Sequence, residues 1–301
     1  ALDCGASDMF IIAGLPLTYK VNGRQQRMGE RLTPAQTEAA IRAIYTLSER
    51  SPRALQQADA DDDFSFAIPQ MGRFYRHVLI EGKSTTLACL IDAINHEREA
   101  HIITMEDPIE YIHRHNRSIV TQREIGSDAP SYVSALRSAL RESPDVILLG
   151  EMRDLETTEV AMTAAETGQL LFSTLHTTGA ANTIDRIVDV FPASQQGQVR
   201  IQLSMVLQAV ISQQLVPTTD GGQAAVFEVM RSTPAIKNMI REAKTFQLDA
   251  AIQAGAAEGM CTMDDSLCRL YAAGRITRDT VLTYCLRYET TQRKLDALAR
   301  L

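Results

Sequence analysis

Two rhythms of apolar and polar positions run along the second part of the chain. Short, mainly apolar runs occur in "HVLI" (His77–Ile80), Ile102–Met105, Val146–Leu149 and at the start of "LLFSTLHTT" from Leu170. Such runs, bounded by polar residues, read as strands buried on both faces. Between the first two runs, Leu87, Leu90, Ile91 and Ile94 repeat at i, i+3, i+4 and i+7, which predicts an amphipathic helix over Ser84–Asn95. Strands alternating with helices from residue 78 onward predict a parallel sheet with helices on its faces. From about residue 231 the pattern is mostly helical.

The first 77 residues follow a different pattern. "IIAGLPLTYKVNGRQQRM" reads as strand, turn at Asn22-Gly23, strand. Thr33-Pro34 opens a helix, with Thr33 as N-cap and Pro34 in the first helical position. "DFSFAIP" alternates and reads as another strand, and the acidic run Asp59–Asp63 reads as a solvated loop. The organisation expected is two domains, 1–77 and 78–301.

Composition narrows the classes. The chain has 301 residues, of which 45% are hydrophobic, enough for one large or two modest cores. No apolar run approaches the ~18 residues of a membrane span, and no basic-then-apolar leader is visible. A formal net charge of -7 gives no general attraction to nucleic acid. The five cysteines, at 4, 89, 261, 268 and 285, lack paired spacing. They read as reduced thiols used as small apolar side chains, with no zinc module indicated.

The candidate chemistry lies where strands give way to polar residues. Gly82-Lys83-Ser84, followed by Thr85-Thr86-Leu87, is the closing half of a phosphate-binding loop, G-x-x-x-x-G-K-[ST]. In that geometry the backbone of Glu81, Gly82, Lys83, Ser84 and Thr85 and the helix N-terminus hold ATP phosphates. Lys83 neutralises the β- and γ-phosphates, and Ser84 ligates Mg²⁺. The motif's first glycine should stand at position 77, where the chain has His77. Ile80-Glu81-Gly82 is too short to supply a turn and the remaining N–H groups. The expectation is that a few dozen residues are missing between Arg73 and Glu81, with breaks near Phe74–His77 and between Ile80 and Glu81. A true deletion would leave a site that does not bind nucleotide.

Three other strands end in groups suited to phosphoryl chemistry. Ile102–Met105 delivers Glu106 and Asp107, and a carboxylate there takes a proton from an attacking water. Val146–Leu149 delivers Gly150 and Glu151, which lies near Mg²⁺. The run from Leu170 delivers Thr174 and His176, and His176 senses the γ-phosphate. Open α/β sheets bind ligands at such strand ends.

With these residues in place, "GKSTTLA", "EDPIEYIH", "ALRSALRESPDVILLGEMRDLET", "TAAETG", "FSTLHTTGAANTIDRIVDVFP" and "AIKNMIRE" resemble the secretion-superfamily hexameric ATPases. Within them the likeness is strongest to the type IV pilus retraction ATPases, over nearly the whole chain. The resemblance implies an α/β fold: a PAS-like α+β N-terminal domain, then a RecA-like P-loop ATPase domain with a helical C-terminal portion. It implies a cytoplasmic homo-hexamer at the inner face of the membrane, without insertion into it. That motor would use ATP and Mg²⁺, push on an inner-membrane platform protein, and drive pilus retraction and twitching motility. It assigns an acid box at Thr104–Tyr111, a histidine box at Thr167–His176 and a retraction-linked motif at Ala235–Glu242. It also implies that Arg73, Arg123, Arg137 and Arg141 complete a neighbouring site. Where the family has a second histidine, this chain has Gln169, which cannot become cationic. The alternatives are a pilus-extension or type II secretion ATPase, an accessory retraction paralogue, or an inactive ring scaffold.

Overall fold

The computed structural model describes residues 8–11, 15–21, 24–33, 35–37, 39–40, 65–68, 72–75 and 83–298. The strand expected at His77–Ile80, the acidic run Asp59–Asp63, the Asn22-Gly23 turn and the residues Pro34, Glu81 and Gly82 lie outside them, as does the Arg73 side chain. The chain divides into two compact units, 1–81 with 221–223 and 82–220 with 224–301.

In the first unit, β1 (Asp8–Phe10), β2 (Pro16–Val21) and β3 (Arg24–Arg31) form an antiparallel sheet in that order. Val21 lies opposite Arg24, the register of a two-residue hairpin. A second antiparallel pair joins β4 (Ser65–Ile68) to β5 (Gly72–Tyr75). Thr33 caps helical residues as its sequence predicts. The Gln36 N–H donates to Thr33 Oγ1 at 3.3 Å, and the Thr33 N–H donates to Gln36 Oε1 at 2.8 Å. This reciprocal capping box satisfies two N–H groups that a helix start leaves open.

The second unit is built on a parallel sheet of four strands. Helix α1 (Lys83–Glu97) precedes β6 (His101–Glu106) and β7 (Ile119–Glu124). Then come α2 (Tyr132–Ala139), β8 (Val146–Leu149), α3 (Leu155–Glu166) and β9 (Leu170–Ser173). The strand order is β7-β6-β8-β9, with all pairs parallel. Alternate side chains sort to the two faces, as the pleat requires. Ile102, Val146 and Leu148 pack with Ile91 of α1, whereas Ile103, Met105, Ile147 and Leu149 pack with Leu136 of α2 and Ala161 of α3. Burial on both faces leaves no solvated face for a polar side chain. That is why these strands read as apolar runs rather than alternations.

Beyond the sheet, α4 (Ala180–Asp189) and α5 (Ala193–Val206) lead to a paired ribbon, β10 (Ala209–Pro217) and β11 (Gln223–Arg231). The helices α6 (Pro234–Arg241), α7 (Leu248–Ala254), α8 (Met263–Ala272), α9 (Arg278–Tyr284) and α10 (Tyr288–Leu298) follow. Ser131, Asp154, Thr233, Thr262 and Thr277 each cap a helix start through a side-chain oxygen. Two cores result, one gathering α4–α7 and the other joining the ribbon to α8–α10. The retraction-linked motif forms α6, with Ile236 and Ile240 fully buried and Asn238, Arg241 and Glu242 exposed. Cys268 is buried and Cys89 is exposed, so the cysteines do not share one environment. Among the described residues no helix is long and apolar enough to cross a membrane.

Candidate active site

The backbone itself joins the sheet's C-terminal ends. The Gly150 N–H donates to Met105 O at 2.8 Å, extending the β6–β8 ladder one residue past β8. Thr174 Oγ1 donates to Gly150 O at 2.7 Å, and the Met152 N–H donates to Thr174 O at 3.1 Å. Position 150 demands glycine for lack of space. A Cβ there would lie 2.7 Å from Tyr132 Oη and 3.1 Å from Met105 O. Just past this crossing, Glu151 receives Arg153 Nε on Oε1 at 2.6 Å and faces His176 Nε2 with Oε2 at 3.3 Å. The Tyr132 phenol is pushed well up by burial, with Asp107 and Glu151 adding to the rise. It stays neutral among carboxylates.

The start of α1 meets this rim. Lys83 Nζ donates to Leu175 O at 3.0 Å, one residue before His176. Ser84 Oγ donates to Glu110 Oε1 at 2.9 Å, and Thr85 Oγ1 and Tyr111 Oη share a hydrogen bond of 2.7 Å. The acid box therefore lies along the first turn of the helix that begins at Lys83. It is also held from behind. Gln122 Nε2 donates to Tyr111 O at 2.9 Å, and the Ile109 N–H donates to Glu124 Oε2 at 3.1 Å. The buried Asn95 side chain accepts from the Asn116 and Ser118 N–H groups and donates to Arg114 O at 2.7 Å.

Glu106 points into the protein side of this rim. Its Oε1 accepts from Thr104 Oγ1 at 2.6 Å and from Gln122 Nε2 at 3.2 Å. Burial raises the affinity of this carboxyl for a proton, the two hydrogen bonds oppose that, and Glu110 and Glu124 add to it.

The structure gathers Lys83, Ser84, Thr85, Glu106, Glu151 and His176 at one end of the sheet. Two of the candidate arginines of the second unit, Arg123 and Arg137, have partners elsewhere in the same chain. Arg123 donates to both oxygens of Glu142 at 2.7 Å, and Arg137 donates to Glu156 at 3.0 Å. Arg141 lies past the last residue of α2 and is exposed. Gln169, between α3 and β9, accepts from Thr167 Oγ1 at 2.7 Å, just past the end of α3. Sequence reasoning did not single out Glu110, Tyr111, Gln122 or Arg153. Glu110 carried a signal, being the second glutamate of "EDPIEY", but only the fold sets it against Ser84. Among the described residues no three His, Cys, Asp or Glu side chains are disposed to hold a metal. The hard oxygen donors Ser84, Glu110 and Glu151 fit a Mg²⁺ whose other ligands are phosphates and water.

Comparisons with known proteins place the chain among characterised relatives. A family model described as "Type II/IV secretion system protein" matches residues 81–257. The type IV pilus retraction ATPase PilT of Pseudomonas aeruginosa is 42% identical over 321 aligned positions, covering 91% of this chain and 93% of that protein. A twitching motility protein of Neisseria gonorrhoeae is 56% identical over 196 positions, covering 65% of this chain and 52% of that protein. A crystal structure of the pilus retraction motor PilT with bound ADP superposes with a TM-score of 0.78 at 39% identity, covering 97% of each chain.

The Glu106 environment makes a stability prediction. Its folded-state proton affinity is raised, so its stabilising share is fully present below the unfolded carboxylate range and is lost as pH rises through the folded value. Glu106→Gln removes that dependence. The variant's melting temperature relative to the parent should therefore be higher at pH 7.5 than at pH 4.5. A difference that does not change with pH would show that burial leaves this carboxyl unshifted.

Proposed function

This chain belongs to the type II/IV secretion system protein family as a PilT-like ATPase, and from that premise we propose that it is a subunit of the ATP-driven motor that retracts type IV pili. The observation that carries the reading is the joining of three separate elements at one sheet end: Lys83 of α1 on Leu175 O at 3.0 Å, and His176 after β9 facing Glu151 after β8 at 3.3 Å. That is where a nucleotide's phosphates, a divalent cation and a water can meet.

The site residues take the following roles. Lys83 neutralises phosphate charge, while Ser84 and Thr85 with the helix N-terminus hold phosphate oxygens. Ser84 reaches Mg²⁺ directly, and Glu151 orients its water shell. His176 reports on the terminal phosphate. The N-terminal domain, 1–77, is PAS-like, and 78–301 is RecA-like with a helical end. Six copies form a ring at the cytoplasmic face and push on a membrane platform protein. Arg73, Arg123, Arg137 and Arg141 are the candidates to complete a neighbour's site. Arg123 and Arg137 would first leave Glu142 and Glu156.

A second reading makes the chain a ring scaffold that hydrolyses nothing, and the truncated loop before Gly82 is its support. The match to the Pseudomonas retraction ATPase spans 321 positions against 301 residues here, so that relative carries residues with no counterpart in this chain, which both readings accommodate. Sequencing the gene across the codons for Arg73 to Glu81 separates the two. Extra codons restoring a glycine five residues before Gly82 support the motor. A gene colinear with the chain leaves the scaffold.

Two carboxylates compete to take the proton from the attacking water. Glu106 has the raised proton affinity, and Glu110 has the position, against Ser84 at 2.9 Å. Geometry precedes proton affinity in choosing a base. Glu106→Gln and Glu110→Gln should both keep ATP binding by titration. The larger loss of phosphate release, about 10²–10⁴-fold, is expected in Glu110→Gln. The same loss confined to Glu106→Gln would return the role to Glu106.

The α6 motif separates motion from chemistry. Its outer face is a polar chain: Arg241 to Asn238 at 3.3 Å, Asn238 to Glu242 at 3.0 Å, and Lys244 to Glu242 at 2.6 Å. Lys237→Ala with Arg241→Ala should leave ATP hydrolysis intact while cells stay piliated but cannot twitch. Ile240→Ala should instead cost about 2–5 kcal/mol of stability, read as a shift in the denaturant midpoint. Normal twitching by the polar-face double variant would reduce the motif to packing.

A further inference from the structure

Glu228 of β11 is a carboxylate with 2% exposure, and its two oxygens serve two different helices. The Ala180 N–H, at the first residue of α4, donates to Oε1 at 2.7 Å. The Met263 N–H, at the first residue of α8, donates to Oε2 at 3.2 Å. A carboxylate suits both places, because each helix start presents unsatisfied N–H groups and the positive end of its dipole. The residue before α4, Gly179, has φ +86° and donates its N–H to Ser212 Oγ of β10 at 2.9 Å. A side chain at Gly179 would be strained by that φ, and its Cβ would come within 3.5 Å of Leu286 Cδ1 and 3.7 Å of Glu228 Oε1.

These anchors bound the segment that closes the active site. Its upstream end is fixed by Thr174, which binds Gly150 O and receives the Met152 N–H. Its downstream end is fixed by Ser212 and Glu228. Between them stand Leu175, whose carbonyl receives Lys83, and His176, which faces Glu151. The line continues away from the site. Asp264, the second residue of α8, is buried and accepts the Leu286 N–H at 2.7 Å and the Arg287 N–H at 3.1 Å just before α10.

We propose that Glu228 is a positioning residue for ATP hydrolysis: by clamping the first turn of α4 to the first turn of α8, it holds Leu175 and His176 against Lys83 and Glu151. This rests on the ATPase reading above. It makes the seating of the C-terminal helices a determinant of turnover, although none of them reaches the nucleotide. Removing the clamp frees one end of the segment whose Leu175 carbonyl receives Lys83, while the other bonds of the first turn of α1, Ser84 to Glu110 and Thr85 to Tyr111, do not pass through Glu228. The expected signature is a fall in kcat with little change in KM for ATP.

Glu228→Gln tests it. The amide keeps one acceptor but turns an NH₂ toward one of the two donors, so one arm of the clamp breaks. Deuterium uptake over residues 175–183 should rise while uptake over β6 and β8 stays at the parent level. Kcat should fall about 10–100-fold with KM for ATP within about twofold. In a His176→Ala background the same substitution should add almost nothing, because two changes acting through one contact are not additive. Unchanged uptake over 175–183, or full additivity with His176→Ala, would overturn the proposal. If the parent chain releases no phosphate, the ATPase reading falls and the uptake comparison alone decides the clamp. Should Glu228→Gln not fold, Ser212→Ala breaks the adjacent anchor at Gly179 and carries the same comparisons.

Discussion

The second unit depends on one constraint: β6 and β8 are covered on both faces. Ile102, Ile103, Met105, Ile147 and Leu149 expose no surface, and Thr104 between them is equally buried. A strand in that position cannot place a charged side chain along its length without desolvating it, at a cost of about several kcal/mol. Charge is admitted only where the strand ends. Parallel pairing puts all those ends on the same side, so Glu106, Glu151 and the His176 segment meet because the core excludes them from anywhere else. The chemistry is gathered by the same apolar burial that stabilises the sheet.

That rim is joined through the backbone before any side chain acts. The Gly150 N–H on Met105 O and Thr174 Oγ1 on Gly150 O tie three strand ends into one piece. Onto it the first turn of α1 docks through Lys83, Ser84 and Thr85, each bonded to a protein oxygen. Exchanging those bonds for phosphate oxygens loses contacts worth about 1 kcal/mol each net. The gain is charge-assisted bonds to an anion, roughly twice as strong as neutral ones. The partners released, Leu175 O and the Glu110 carboxylate, lie on the His176 segment and the acid box. On the proposed reading, phosphate binding at α1 would therefore displace direct contacts to both.

What the sequence revealed and what it hid follow from the same physics. Val146–Leu149 was legible because a doubly buried strand leaves an unbroken apolar run, and α1 because its inner face repeats at helical spacing. β7 was not, since "IVTQRE" lies at the edge of the parallel sheet and carries polar residues that serve the acid box, Gln122 and Glu124 among them. The β10–β11 ribbon went unread although its ends alternate exposed and buried. Its inner face includes Ser212 and Glu228, which a hydrophobic pattern cannot mark as internal. Glu110 was within the quoted acid box, yet a strand-end argument favours Glu106. Only the turn through Pro108 and Ile109 brings the second glutamate to Ser84. Arg123 and Arg137 were legible as charges, but their carboxylate partners, Glu142 and Glu156, are set by tertiary packing.

The helix carrying "AIKNMIRE" is remote from the phosphate loop in sequence, and this distance misleads. Ile236 and Ile240 lie in one packed cluster with Ile184, Ile187 and Val188 of α4. Helix α4 begins at Ala180, directly after the segment that holds His176 against Glu151. Close-packed interiors transmit displacement rather than absorb it. Helix α4 thus shares a packed core with α6, and its first turn is joined through Glu228 to α8. On the proposed reading, mechanical output and hydrolysis would need no separate connecting device in this arrangement. They share α4, and the substitutions that distinguish them are those that change the outer face of α6 without disturbing the side chains it buries.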